Sequence, residues 1–141
     1  MRDARFRQYF WIFIVVLAAV LLKIRIGGSV PYPPSYDKLP GGEIRVHVTA
    51  KPIASDAVGE AWNLEKHVQN GQVIYTANLY MNGHEQLLFP GLGVKQKTPE
   101  GVLYRSNGKI RFDGQDYQAV ELFVNRSGSA GYIDFAKVKT S

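Results

Sequence analysis

Four Asn-Gly or Asp-Gly pairs constrain the fold of this chain more than any other feature. Strand-like sequence flanks each of them: Asn70-Gly71, Asn82-Gly83, Asn107-Gly108 and Asp113-Gly114. These residue types tolerate the positive φ that both central residues of a type I′ turn require, so each pair predicts a two-residue β-hairpin. The region is therefore expected to form an antiparallel sheet from successive hairpins.

The sequence between and around these turns predicts about eight short strands. In the first, Ile44, Val46 and Val48 alternate with polar residues over 43–50. The others are predicted at 62–69, 72–81, 84–89, 102–106, 109–113, 117–125 and 132–138. This number of short strands is typical of a small antiparallel β-sandwich or barrel. Residues 43–141 are accordingly predicted to be one mainly β domain.

Two segments of this domain are expected to be irregular. Pro90, Gly91 and Gly93 predict a bend between strands, because proline lacks an N–H for a central ladder and glycine weakens a strand. Residues 55–60 predict a short helical turn that begins at Ser55 or Asp56, either of which can cap it.

Upstream of the domain, residues 9–22 form an uninterrupted apolar stretch bracketed by Arg7 and Lys23. The uncharged run 8–22 is 15 residues, or about 22 Å of helix, against a hydrocarbon core of about 30 Å. The deficit closes if the two bracketing side chains extend their charges outward and residues 24–26 continue the apolar surface. Residues 1–26 are therefore predicted to be a basic stub and a single transmembrane helix, anchored by Tyr9, Phe10, Trp11, Leu22, Arg7 and Lys23.

A cleaved secretory signal is the alternative interpretation of the same stretch. It fits the basic start, the apolar run and the small residues of Gly27-x-Ser29. Three arginines precede the span, and Lys23, Arg25 and Lys38 follow it. Because a short tail with three arginines and a free amino group resists translocation, the amino terminus is predicted in the cytoplasm. The β domain would then lie in the periplasm or another extracytoplasmic space, held at the inner (cytoplasmic) membrane.

Residues 27–42 are predicted to be a linker. They contain four prolines and four glycines in sixteen residues, which disfavours both helix and sheet. The run 31–34 predicts extended polyproline, a semi-rigid spacer that holds the domain away from the bilayer.

The distribution of charge argues against a nucleic-acid partner. Residues 1–42 hold six basic and two acidic side chains, whereas residues 43–141 hold eleven and ten. The surplus therefore belongs to the flanks of the anchor, where anionic lipid headgroups explain it. The chain has no cysteine, so an oxidising compartment would be used without disulfides.

No residue pattern predicts an enzyme, a metal site or a cofactor. His47, His67 and His84 do not stand at ligand spacing on one element, and no serine lies in a nucleophile elbow. The acids Asp113, Asp116, Glu121 and Asp134 could meet on adjacent strands, although Asp113-Gly114 is more simply a turn.

These observations predict a non-enzymatic structural or assembly subunit of a membrane or envelope complex, such as a secretion or transport machine. Its partners would be the lipid bilayer and other protein subunits. The first or the last strand is expected to be an exposed edge for strand addition, with Ile44, Val46, Val48, Tyr132 and Phe135 as candidate contact residues. A β-sandwich or barrel that holds a lipid or another apolar ligand is the alternative function.

Overall fold

A computed structural model of the protein describes residues 29–139, and the predicted anchor residues lie outside them. The described part is mainly β, with one short 3₁₀ turn at Pro40–Gly42. No helix among residues 29–139 has the length and hydrophobicity to cross a membrane. The nine strands are β1 Tyr36–Lys38, β2 Ile44–Thr49, β3 Glu60–Gln69, β4 Gln72–Met81, β5 His84–Lys97, β6 Gly101–Ser106, β7 Lys109–Phe112, β8 Gln115–Asn125 and β9 Ala130–Lys137.

The strands form one antiparallel sheet in the order β1-β2-β9-β8-β6-β5-β4-β3, with β7 paired to β8. The sheet curls until β3 contacts β2, but no hydrogen-bonded ladder joins these two strands. The predicted β fold is thus confirmed as a sandwich-like antiparallel sheet, and it is not a closed barrel. Residues 51–59 contain a turn at Ser55 and Asp56 and no helix.

Three of the four predicted hairpin turns are confirmed. At Asn70-Gly71, Asn82-Gly83 and Asp113-Gly114 both residues have positive φ, for example 53° and 78° in the first pair. Each pair joins two strands whose flanking residues are register partners. Two-residue loops of this kind are what a type I′ hairpin requires.

The fourth hairpin prediction is wrong. Residues Asn107 and Gly108 separate β6 from β7, but these strands do not pair with each other, and both pair with β8. The Gly108 carbonyl accepts a hydrogen bond from the Ala119 amide of β8. The pair therefore interrupts one edge of β8 rather than reversing the chain, because β8 offers both segments a longer partner than they offer each other.

Strand β5 continues through the predicted bend and exchanges partners within it. Its first half pairs with β4 as far as the Thr76–Pro90 pair, and its second half pairs with β6 from the Gly91–Ser106 pair onward. Proline is tolerated because it stands at the point of exchange. A Cβ on Gly91 would lie 3.1 Å from the Tyr104 ring, so the bend brings the backbone close to that side chain.

Aromatic side chains on the inner face hold the two parts of the curled sheet together. Phe89 and Phe135 lie 5.0 Å apart, Phe112 lies 5.5 Å from Phe135, and Trp62 stacks on Phe89 at 6.1 Å. The three phenylalanines are completely buried. Because the four residues come from β3, β5, β7 and β9, their contacts join strands that are distant in the sequence.

The described part of the predicted linker packs against the sheet. Val30 forms a parallel bridge with Phe112, and Tyr32 stacks on Tyr36 and Phe112. The Tyr32 and Tyr117 hydroxyl groups lie 3.0 Å apart. The prediction that sheet is excluded here is wrong for β1, because no proline stands between Pro34 and Pro40. Residues 29–42 thus follow the domain surface instead of extending from it as a spacer.

Replacement of the buried Val46 by alanine is expected to lower the free energy of unfolding by about 2 kcal/mol, through lost burial and a residual cavity. The matched control is Val58→Ala, since Val58 is 92% exposed and Val46 only 1%. Denaturant unfolding followed by circular dichroism measures both. Equal effects of the two substitutions would contradict the described core.

The docked Tyr32 is expected to make stability depend on pH in the alkaline range. Burial and the hydrogen bond with Tyr32 raise the pKa of Tyr117 to about 12. The unfolded chain releases this proton near pH ~10 while the folded chain retains it, so stability is full below that pH and falls as pH rises toward ~12.

Tyr117→Phe should therefore reduce the loss of stability over this range by about 1–2 kcal/mol. Tyr36→Phe, which leaves the Tyr32–Tyr117 hydrogen bond in place, is the control. Unfolding curves recorded at several alkaline pH values test the expectation. An unchanged pH slope in Tyr117→Phe would refute it.

Candidate interaction site

Neither strand predicted to be a free edge lies at an edge of the sheet. Strand β2 pairs with β1 and β9, and β9 pairs with β2 and β8. The candidate contact residues Ile44, Val46, Val48 and Phe135 are buried in the core. The edge prediction is wrong because β1, from the predicted linker, pairs with one edge of β2. The other edge of β2 pairs with β9, so neither predicted strand has a free edge.

Tyr132, the remaining candidate contact residue, is half-buried on the outer face of the sheet. Its ring stacks on Phe123 at 5.0 Å, and the Arg45 guanidinium lies 3.7 Å from its centroid. Arg45 also donates two hydrogen bonds to Asp134, from Nε at 2.8 Å and from Nη2 at 3.0 Å. The bond to Asp134 raises the pKa of Arg45 above its ordinary value. The side chains of this cluster bind one another, and β9 has a paired strand on each side, so the cluster offers no open edge.

The acidic residues of the last third do not form a common site. Glu121 and Asp134 are register partners, but Glu121 binds Lys95 whereas Asp134 binds Arg45. Asp116 accepts a hydrogen bond from Arg111 at 2.7 Å, which lowers its pKa. Asp113 lies in the β7–β8 turn as expected. Each carboxylate on a strand thus has its own basic partner.

The histidines are likewise dispersed. His47 Nε2 lies 2.7 Å from Asp37 Oδ2, and His67 Nε2 lies 2.9 Å from Thr76 Oγ1 and 3.8 Å from Glu65 Oε2. Within the described range 29–139, no three His, Asp or Glu side chains converge as a metal ion would require.

A gap within the sheet lies between β4 and β5. Strand β4 pairs with β5 only from Thr76 onward, so its residues 72–75 pair with β3 alone. Beyond Pro90, β5 pairs only with β6. The two strands therefore diverge, and the gap between them, which we call the opening, is bordered on both sides by a strand edge with one partner.

Exposed apolar side chains gather around the opening. Val68 and Val73 are register partners at the tip of the β3–β4 hairpin, and Val94 pairs with Tyr104 across β5 and β6. These three valines and the neighbouring Leu92 are 41–64% exposed, and they are four of the five large exposed hydrophobic side chains in the described part of the chain. Their positions on the strand segments that border the opening make this face the candidate interaction site.

A cavity of about 320 Å³ lies inside the opening. Tyr75, Val102, Tyr104 and Val124 supply its apolar wall. The rings of Tyr75 and Tyr104 are 6.3 Å apart, and burial followed by the neighbouring Tyr75 raises the pKa of Tyr104. Lys97 and Arg126 stand at the rim. The opening thus combines an apolar floor with a basic border.

The sequence contains a weak signal for this site. The alternation of β3 and β4 continues to Val68 and Val73, beyond the last buried residues of that face, Leu64 and Ala77. The hairpin extends beyond the buried core, and the apolar residues on the inner face of this extension form a surface that another molecule could cover. The divergence of β4 from β5 depends on pairing with β6 and has no local signal.

Comparison of the chain with protein-family models, curated proteins and solved structures finds no match in any of the three.

Loss of the Asp134 carboxylate is expected to be far more damaging than loss of an exposed one. Asp134→Asn removes the charge that a partly buried Arg45 faces, and should lower the free energy of unfolding by about 1–3 kcal/mol. Asp116→Asn breaks a similar Arg–Asp pair whose side chains are 55% and 42% exposed, against 29% and 7% for Arg45 and Asp134. This control should leave stability unchanged, because exposed pairs contribute little. Thermal unfolding of both variants measures the two losses of stability. A loss in Asp116→Asn as large as that in Asp134→Asn would contradict the expectation.

Proposed function

We propose that the protein is a non-enzymatic subunit of a membrane or envelope complex, anchored by one span in residues 1–26, and that its extracytoplasmic β domain binds a partner subunit at the opening. The apolar stretch 9–22 supports the anchor. The observation that carries the binding proposal is the group of exposed Val68, Val73 and Val94 around the opening. These valines leave apolar surface in water that a partner would bury.

The structure of the opening favours insertion of side chains over addition of a strand. The available edge of β5 is irregular, with register shifts between Gly91 and Gly93 and between Val94 and Gln96. Bulges and charged residues such as Lys95 and Lys97 are features that prevent pairing with another strand. The cavity between Tyr75 and Tyr104, in contrast, is ready to accept an apolar side chain.

The border of the opening specifies the charge of the partner. Lys97 and Arg126 form no ion pair within residues 29–139, and both line the cavity. A partner segment with an apolar anchor residue flanked by Asp or Glu complements this arrangement. Such complementarity directs association and rejects basic partners.

An apolar small molecule is the second candidate occupant. The cavity volume of about 320 Å³ falls at the lower limit of ligand sites, which start at about 300 Å³. The same residues would bind it, so the two candidates differ in the identity of the occupant.

A photo-crosslinking residue at position 73 or 94 of the full-length chain, in intact membranes, is expected to capture a partner subunit. The same residue at position 58 is the control, since Val58 is the fifth exposed hydrophobic residue and lies in the β2–β3 connection. With the crosslinking residue at position 94, Val68→Asp with Val73→Asp should abolish capture at the opening and leave folding intact, because surface changes usually stay within about 0.5 kcal/mol. Capture of a partner from position 58 alone would contradict the proposal. Capture of a lipid at the opening would favour an apolar small molecule as the occupant.

A further inference from the structure

A basic depression lies where β8 bulges, and one of the residues that line it, Arg105, reaches the Val94 carbonyl at the border of the opening. Its volume is about 580 Å³, and it is lined by Lys95, Arg105, Lys137 and Lys139 and by no acidic residue. Ala119, Val120 and Ala136 form part of its wall, and the register of β8 with β9 shifts between Ala119 and Glu121. Small side chains and the bulge thus leave room in which four cations converge.

The depression lies at the end of the domain at which the chain enters. Ser29 Oγ accepts a hydrogen bond from the Gly114 amide at 2.7 Å, and Val30 bridges Phe112. The Val138 amide donates to the Asp116 carbonyl, so Lys137 and Lys139 stand beside the start of β8. The wall of the depression also includes Gln118, whose register partner is Lys109.

The chain between the proposed span and this end is short. Residues 27 and 28 alone separate Ser29 from position 26, and three residue steps reach at most about 11 Å. Since residues 29–42 pack against the sheet, they cannot lengthen this connection. The end of the domain that carries Gly114 is therefore held within reach of the headgroups, where the Debye length is about 8 Å at physiological salt.

The charges at this end remain positive after pairing is counted. Glu121 neutralises Lys95, and Asp116 neutralises Arg111. The other acids there are Asp113 in the neighbouring turn and Glu43, which follows the Gly42 that lies against Lys137. The remaining cations are Arg105, Lys109, Lys137 and Lys139. Four cations against two acids favour contact with an anionic surface.

We propose that this basic depression binds the phosphate groups of anionic lipids, so that the domain rests directly on the membrane surface. This inference rests on the anchor of the proposed function, but not on the opening or its partner. Phosphate groups match the donors that Arg105 and the lysines offer. Lipid phosphate is favoured over soluble phosphate, because the short connection at Ser29 would keep the depression close to the headgroups.

The test uses the full-length chain in nanodiscs of phosphatidylcholine, with or without phosphatidylglycerol. Because the chain has no cysteine, Gln118→Cys provides a single site for a fluorophore, and spin-labelled headgroups report its proximity to the surface. Quenching is expected to be stronger with phosphatidylglycerol than in phosphatidylcholine alone, and the difference should decrease at high salt. A fluorophore at Val73→Cys, near the opening, should remain unquenched.

The variant Arg105→Gln/Lys137→Gln/Lys139→Gln should lower the ratio of docked to undocked domain by about a hundredfold, since each of the three cations near an anionic surface contributes a factor of about five. The control Lys51→Gln/Lys66→Glu changes the net charge by the same amount at exposed positions outside both the depression and the opening. It should dock like the unmodified protein. Circular dichroism of both variants verifies that they are folded.

Three results would overturn the inference, and they can be told apart. Quenching of equal strength with and without phosphatidylglycerol, or equal losses in the test and control variants, excludes a specific anionic contact. Inorganic phosphate that binds in phosphatidylcholine nanodiscs, without lipid-dependent quenching, would identify a site for soluble anions. A chain that a salt wash removes from the nanodiscs would refute the anchor, and with it the proposed function.

Discussion

The contacts among Trp62, Phe89, Phe112 and Phe135 are the interaction on which the rest of the structure depends. They lie on four strands that the sheet order keeps apart, so their burial requires the sheet to curl. Aromatic pairs in offset or edge-to-face geometry add to the free energy gained by burial alone. Curling around this cluster brings β3 against β2 and produces a sandwich-like core from one continuous sheet.

The same curl explains why the opening exists. Strand β5 must leave β4 at Pro90 to reach β6, and the divergence exposes Val73 and Val94 on either side. An exposed apolar surface is thus a consequence of the core, and a partner that covers it would complete the packing.

Local turn chemistry was the part of the fold that could be predicted best. Asn70-Gly71, Asn82-Gly83 and Asp113-Gly114 act within two residues, and their hairpins formed as expected. Asn107-Gly108 failed because β7 forms its hairpin with β8 through Asp113-Gly114, and β8 is long enough to pair with β6 as well. The edge prediction failed for two reasons: β9 pairs with β2 at long range, and β1, which pairs with β2 locally, lies in a segment predicted to be a linker. The opening likewise depends on strand order, of which Val68 and Val73 gave only a partial indication.

If the proposed span holds the domain with β8 upright on the bilayer, the length of β8 would set the height at which the protein meets a partner. Its eleven residues, Gln115–Asn125, span about 35 Å at 3.3 Å per residue. One end adjoins Ser29 through Gly114, and the other borders the cavity through Asn125 and Arg126. With residues 1–26 in the bilayer, the sheet would then act as a rigid spacer between the membrane and the opening. A partner confined to the membrane could not touch the opening, whereas one whose own domain rises a similar distance above the lipid could do so without either chain unfolding.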